Sequence, residues 1–572
     1  PDSARPELDA VYVAPQTETE QALVEIWKQV LGVEQVGVHD NFFELGGDSI
    51  LSFQIIARAA EAGIHLTPNQ LFQHRTIAAL SRFVGTQQRV EAEQGLVTGD
   101  VVLTPIQQWF FDQQFAQPHH WNQAVLLDLA QPLDPALLAQ TVQHLVAHHD
   151  ALRLRFTLEV TGWHQTSAAG EDHQLATHVD LSDLPAAEQS AALTARAAEL
   201  QAALDLTDGP LLRVATFDLG PQGTRLLIVV HHLAVDGVSW RILLEDLHTV
   251  YQQLEAGTQP ALPAKTTSFQ RWAARLQEFA QSAELREEAG VWLDQPWQQI
   301  PPLPRDLGGG KNIESATRTV SVKLSSTLTH SLLHDAHQSY NTQINDLLLA
   351  ALAETLADWT ESRTVLLNLE GHGREDFFPD VDVSRTVGWF TSLFPVVLDL
   401  RKAHEPGAVI AAVKEQLRDL PNHGVGFGIL RYLSQDAALR EQLQRLPQGE
   451  ILFNYVGQLD QALPATTPFR FAAESSGPTH SPQAERAYLL EVNAAIVGGR
   501  LQLEWSYSEQ IYDRMTIETL AETYLDVLAE LIDHALSPEA GAYTPSDFAE
   551  FAWSQDSLDN ITDIIRKSIG EL

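Results

Sequence analysis

The sequence predicts a multidomain protein, a small all-α bundle followed by a large α/β unit of two lobes. Three observations carry this. The chain has 572 residues, too many for one ordinary domain at roughly 150 residues each. Hydrophobic residues make up 44% and charged ones 19%, which supplies real cores and sets the chain apart from disordered or fibrous sequences. Apolar residues repeat at helical spacing alone up to residue 84, whereas strand and helix patterns mix from residue 102 onward.

The small unit spans 16–84. Thr17-Glu18-Thr19-Glu20 has capping-box spacing, and Leu23, Ile26, Trp27, Val30 and Leu31 follow on one helical face until Gly32 stops it. A loop leads to Gly46-Gly47-Asp48-Ser49. From Ile50 the pattern is helical again (Leu51, Ile55, Ala59) and ends at Gly63. Pro68 is expected in a loop before a last helix around Ile77, Leu80 and Phe83. The polar stretch 85–101 has no periodicity and reads as a linker.

The large unit spans 102–540. Apolar runs predict strands over 124–129, 225–231, 364–369 and 394–400, and helices over 135–148, 186–204, 239–254, 327–338 and 344–358. A Pro-rich segment, 299–304, is read as joining two lobes, about 102–275 and about 276–540. In the tail, 541–572, Leu558, Ile561, Ile565, Ile569 and Leu572 share one helical face. Asp559 and Asp563 lie early and Arg566 and Lys567 late, as the helix dipole favours.

The charge balance is 36 basic against 75 acidic residues, or −39. Such a surface repels phosphate backbones and anionic lipid, so neither nucleic acid nor a membrane surface is an expected partner. No run approaches the ~20 apolar residues of a membrane helix, and no charged-then-apolar leader opens the chain. A cytoplasmic location is expected. With its one methionine at Met515 and a start at Pro1, the chain reads as a piece of a longer polypeptide. The absence of cysteine excludes disulfides, thiolate metal sites and a cysteine nucleophile.

Two constellations bear chemistry. In Gly46-Gly47-Asp48-Ser49-Ile50 the glycines permit close approach, Asp48 can cap the following helix, and Ser49 stands at a helix N-terminus, which favours an attached phosphate. An ordinary glycine turn with a capping serine fits the local pattern equally well. The second is His231-His232-Leu233-Ala234-Val235-Asp236-Gly237, after the strand 225–230. Consecutive strand residues point to opposite faces, so the two histidines do not chelate one ion. No metal site is expected. His148-His149-Asp150, beside Arg153 and Arg155, reads as structural.

The stretch Asn41-Phe42-Phe43-Glu44-Leu45-Gly46-Gly47-Asp48-Ser49 resembles the core motif of peptidyl carrier domains of nonribosomal peptide synthetases. The resemblance implies a 4′-phosphopantetheine arm on Ser49, added by a phosphopantetheinyl transferase and supplying the thiol this chain lacks. The aspartate before that serine is typical of carriers paired with an epimerization domain. His231 to Gly237 resembles the HHxxxDG signature of the condensation/epimerization superfamily, built like a pseudo-dimer of chloramphenicol acetyltransferase. That resemblance implies that His232 faces the site, that His231 and Asp236 are structural, and that Gly237 lets the chain turn.

Further motifs point within the superfamily to epimerization: Val238-Ser239-Trp240-Arg241-Ile242-Leu243, Asn368 to Glu375 with its EGHGRE, Val387-Gly388-Trp389-Phe390-Thr391-Ser392, and Asn454-Tyr455-Val456-Gly457-Gln458. Weaker matches include Pro421-Asn422-His423-Gly424. What they imply is racemisation at Cα of an aminoacyl or peptidyl thioester, with His232 and Glu370 as the acid/base pair, one from each lobe. Asn454 and Tyr455 would orient the thioester or the arm. Independently of family, a carboxylate ending a buried strand must be partnered or protonated. A structural salt bridge of Glu370 with Arg374 or another arginine accounts for it equally well. A condensation domain and a non-catalytic carrier-docking scaffold are the competing functions. Pro1-Asp2 resembles the end of an adenylation domain, making 1–15 the end of that upstream neighbour's linker. Thr544-Pro545-Ser546-Asp547-Phe548 resembles the junction before a donor communication helix, expected over 557–572 and docking on a downstream condensation protein.

Overall fold

The computed structural model describes residues 11–47, 49–83, 90–458, 469–538, 540–551, 555 and 558. The small unit is four helices, α1 (Glu18–Leu31), α2 (Ser49–Glu61), α3 (Pro68–Gln73) and α4 (Ile77–Leu80). Thr17 and Glu20 close the expected capping box, and Gly32 ends α1 in the left-handed region at φ 68°. Pro68 corrects the expected loop. It opens α3 at a position whose N–H has no intrahelical partner, behind a Thr67/Gln70 capping box. Trp27, Phe42, Ile55, Leu71 and Leu80 close a core of this unit's own. The stretch read as linker is corrected at its end, where Gly99–Val101 forms a strand against Gln165–Ser167.

The large unit has fourteen described strands, numbered in chain order. β1 (Gly99–Val101), β3 (Leu154–Glu159) and β4 (Gly162–Ser167) make a small sheet in the order β1-β4-β3. β2 (Asn122–Leu129), β5 (Ala176–Asp180), β6 (Leu212–Asp218), β7 (Thr224–His231) and β12 (Phe469–Phe471) make the first lobe's sheet, ordered β12-β2-β7-β6-β5. β8 (Thr317–Lys323), β9 (Thr364–Gly371), β10 (Ser392–Asp399), β11 (Ile451–Gln458), β13 (Leu490–Val497) and β14 (Arg500–Ser508) make the second, ordered β10-β9-β11-β13-β14-β8. The late strand β12 crosses back to pair with β2, Phe469 opposite Leu129, and so stitches the lobes together.

Helices pack against both sheets. Among them α5 (Pro105–Asp112), α6 (Pro135–His148), α7 (Ala186–Gln201) and α8 (Gly237–Glu255) belong to the first lobe. The helix expected to run to 338 ends at His334, and turns occupy 335–341. No described helix is long and apolar enough to cross a membrane.

The small unit sits on the large one. The Gln458 amide donates to the Gly46 carbonyl at 2.7 Å, and the His334 Nδ1–H to the Glu44 carbonyl at 3.0 Å. Ion pairs Arg58–Glu245 (3.9 Å) and Arg385–Glu61 (3.5 Å) flank this contact. The junction before the tail is also anchored, with Asp547 accepting from Lys414 Nζ at 2.6 Å and Thr544 buried. Leu558 is buried, while the rest of the expected 557–572 helix lies outside the described residues.

Candidate active site

Strand β7 is buried along its length and delivers His231 and His232 to the interface between lobes. His231 is fully buried, with Nε2 bound to the Pro118 carbonyl at 2.8 Å and Nδ1 accepting the Leu233 N–H at 3.2 Å. Both nitrogens are used, and burial pulls its pKa down to about 3, so it stays neutral and fixed. His232 donates Nδ1–H to the Val235 carbonyl at 2.9 Å, which leaves the Nε2 lone pair as its reactive atom. That atom lies 3.0 Å from the Gln123 amide nitrogen. The Trp240 indole N–H donates to the Gln123 oxygen at 2.6 Å and thereby turns the amide N–H toward His232. Trp121 stacks on the imidazole at 4.8 Å and Trp389 packs at 4.4 Å. Burial among these groups lowers the His232 pKa.

Asp236 caps α8, accepting the Ser239 N–H at 2.8 Å and hydroxyl at 2.7 Å. It also receives Arg374 Nη2 at 3.0 and 3.1 Å. The expected alternative, a salt bridge of Glu370 with Arg374, is therefore corrected: Arg374 turns away from Glu370 because a fully buried guanidinium finds a buried carboxylate and the Val383 and Thr386 carbonyls, each at 2.8 Å.

Glu370 is the last residue but one of β9, and its side chain is exposed within a cavity of about 420 Å³ that opens to solvent, with protein packed densely around it. Burial, then the negative charge of Glu491, pushes its pKa up to about 7. Parallel pairing of β11 with β9, Phe453 beside Leu369, sets Asn454 next to it, and the Asn454 amide donates to Glu370 Oε2 at 3.1 Å. Tyr455, Asp236, Gly237 and His372 line the same cavity. His232 is not among the cavity-lining residues; it lies four positions before Asp236 and against Trp389, two before the lining Thr391.

Gly46 and Gly47, in the loop just before α2, and Glu370 line the same cavity. A Cβ on Gly47 would come within 2.4 Å of the Phe42 ring, so only glycine brings that loop so close. Ser49 is the first residue of α2; Asp48 lies outside the described residues. Elsewhere, potential ligand atoms of His148, His149 and Asp246 lie within 4.8 Å of one another. His149 is hydrogen-bonded to Asp246 at 2.9 Å, and Arg385 pairs with the same carboxylate at 2.6 Å. Arg385 therefore occupies the carboxylate that a cation would need. Gln123 escaped the sequence reading. Its signal is a polar residue just before the apolar run 124–129, where β2 pairs with the strand leading to the histidines.

Residues 21–84 match the phosphopantetheine attachment site family and residues 97–551 the condensation domain family. A linear gramicidin synthase protein of Brevibacillus parabrevis is 50% identical over 568 residues, covering 98% of this chain. The chain spans 7% of that protein's length, and 11% of each of two further linear gramicidin synthase proteins of the same organism. The crystal structure of the epimerization domain from the third module of tyrocidine synthetase B superposes with a TM-score of 0.72 at 39% identity, covering 78% of this chain and 99% of that one. The first condensation domain of the calcium-dependent antibiotic synthetase shares the fold at 20% identity and a TM-score of 0.58, covering 77% of this chain and 97% of its own. The phosphopantetheine-bearing small unit and the α/β pseudo-dimer behind it place the chain in the condensation family of the nonribosomal peptide synthetases.

Proposed function

We propose that the large domain epimerizes an L-aminoacyl or peptidyl group at Cα while a thioester holds it on the arm of Ser49. The observation that carries this is Glu370, a carboxyl raised to about 7 on a cavity that the carrier loop also lines. The arm supplies a thioester, whose carbonyl makes the neighbouring Cα–H removable. Glu370 and His232 are the two proton-transfer groups. A proton on Glu370 and an unprotonated Nε2 on His232, which accepts the Gln123 N–H until substrate enters, give the pair one proton to exchange through the substrate. Asn454 holds the Glu370 carboxyl in place and, with Tyr455, orients the thioester. Asp236 and Gly237 shape the wall, and His231 braces the chain behind it.

On this reading the carrier domain is 16–84, the large domain runs from β1 at Gly99 to about 540 with the tail at 541–572, and the partners are an upstream adenylation domain, a phosphopantetheinyl transferase and a downstream condensation protein. The test is to load Ser49 with an L-aminoacyl arm in heavy water, with no acceptor amine present. Deuterium appearing at Cα supports epimerization. Peptide-bond formation on adding an acceptor, with no Cα exchange, would establish condensation instead, and neither reaction would leave a docking scaffold.

A further inference from the structure

The chain from the end of one helix at His334 to the start of the next at Ile344 meets three parts of the molecule. At its beginning, His334 donates Nδ1–H to the Glu44 carbonyl of the carrier loop at 3.0 Å. Along its length, His334, His337, Gln338 and Asn341 line the cavity that Glu370 and the carrier loop share. Near its end, the Asn341 amide donates to Asp547 Oδ1, in the junction before the tail, at 2.8 Å.

Asp547 gathers this contact. Its Oδ1 also accepts from Lys414 Nζ at 2.6 Å, and its Oδ2 accepts the N–H and hydroxyl of Thr544 at 2.9 and 3.2 Å. Lys414 in turn donates to the Tyr340 carbonyl at 2.8 Å. The Lys414 and Asp547 side chains are 1% and 6% exposed, and neither lines the cavity. Charge-assisted hydrogen bonds are roughly twice as strong as neutral ones. The buried pair therefore holds residues 340 and 341 more firmly than neutral bonds would. The bond to the carrier, at 334, and the bonds to the tail junction, at 340 and 341, bracket the cavity-lining side chains of 337 and 338.

Taking this cavity as the place of the reaction, as proposed above, we propose that Asp547 is a positioning residue for it. Through Asn341 and the Lys414–Tyr340 link, the junction before the tail sets the segment that walls the cavity and seats the carrier loop. A junction that only ties the tail down would leave that seat unaffected.

The test uses the full chain, loaded at Ser49 with whichever of a panel of L-aminoacyl arms exchanges fastest at Cα in heavy water. Asn341→Gly removes the bond to Asp547 and keeps the backbone at φ 49°, which glycine adopts without strain. Lys414→Met together with Asp547→Ala removes the buried pair as a unit and strands no charge. Each should slow exchange by about tenfold or more, within the roughly 10²-fold that an ångström of misplacement costs. All three changes combined should be no slower than the Lys414/Asp547 pair of changes, because Asn341 acts through Asp547. A second readout needs no turnover. The ¹⁵N resonance of His334 Nδ1, assigned with His334→Gln, should shift in both variants. Unchanged exchange in both, effects that multiply in the combination, or an unmoved His334 resonance overturns the proposal. No exchange on any arm of the wild-type chain, with the His334 resonance still shifted in both variants, overturns the epimerase reading and leaves the positioning of the carrier's seat standing.

Discussion

Arg374 and Asp236 form a buried ion pair across the two lobes, with Nη2 3.0 Å from Oδ1. The aspartate belongs to the HHxxxDG segment and the arginine to EGHGRE, so the two motifs are physically one network. Ser239 joins it, bonding Asp236, Arg374 and both the N–H and the carbonyl of Gly388. Phe390 adds its ring 3.9 Å from the guanidinium.

Removing one member leaves the other as an uncompensated buried charge, at a cost of about 3–5 kcal/mol. Arg374→Met and Asp236→Asn should each lower the midpoint of chemical denaturation of the large domain by a corresponding amount. A denaturation midpoint unchanged from wild type in both variants would show that the pair does not hold the lobes.

Glu370→Gln and His232→Ala should each slow Cα exchange by about 10²–10⁴, read by mass spectrometry of the loaded arm in heavy water. His231→Ala should act chiefly on stability, because both its ring nitrogens are committed to backbone groups.

The pair works with one proton, so its rate against pH should be bell-shaped. Glu370, raised to about 7, loses its proton as pH rises through that value, and the rate falls on the alkaline side. His232, with its pKa lowered by burial, takes up a proton on Nε2 only below the ordinary histidine range, which sets the acid side. Because interconversion runs both ways through the same single-proton state, L and D substrates should share this profile. A rate still climbing well above pH 7 would contradict the assignment of Glu370.

Gln123 positions His232. Gln123→Leu removes the N–H on Nε2 and should slow exchange by up to about 10²-fold, the cost of a misplaced reacting group. Gln123→Glu should do something a packing defect does not: its carboxylate stabilises the imidazolium, so the acid limb of the pH profile moves upward. The ¹⁵N shifts of the His232 ring would report the same change directly.

Ser49→Ala should abolish the mass shift produced by a phosphopantetheinyl transferase while the carrier core, built around Trp27 and Phe42, stays folded. Circular dichroism and intact mass on the same sample check both.

The two glycines before Ser49, the histidine pair and the strand ending in Glu370 were legible because each is local. A turn, a cap and an apolar run leave their pattern within a few neighbouring residues, and the helix Pro135–His148 and the caps at Thr17 and Gly32 follow from the same kind of signal. What the sequence could not decide was pairing between distant segments. Arg374 was as good a partner for Glu370 as for Asp236 until the lobes were set against each other, and Asn454 meets Glu370 only through a β11–β9 register spanning 84 positions. Gln123 reaches His232 across 109 positions and takes its orientation from Trp240. A local motif fixes which atoms are available; burial and register, which depend on the whole chain, fix which of them meet and how readily each holds a proton.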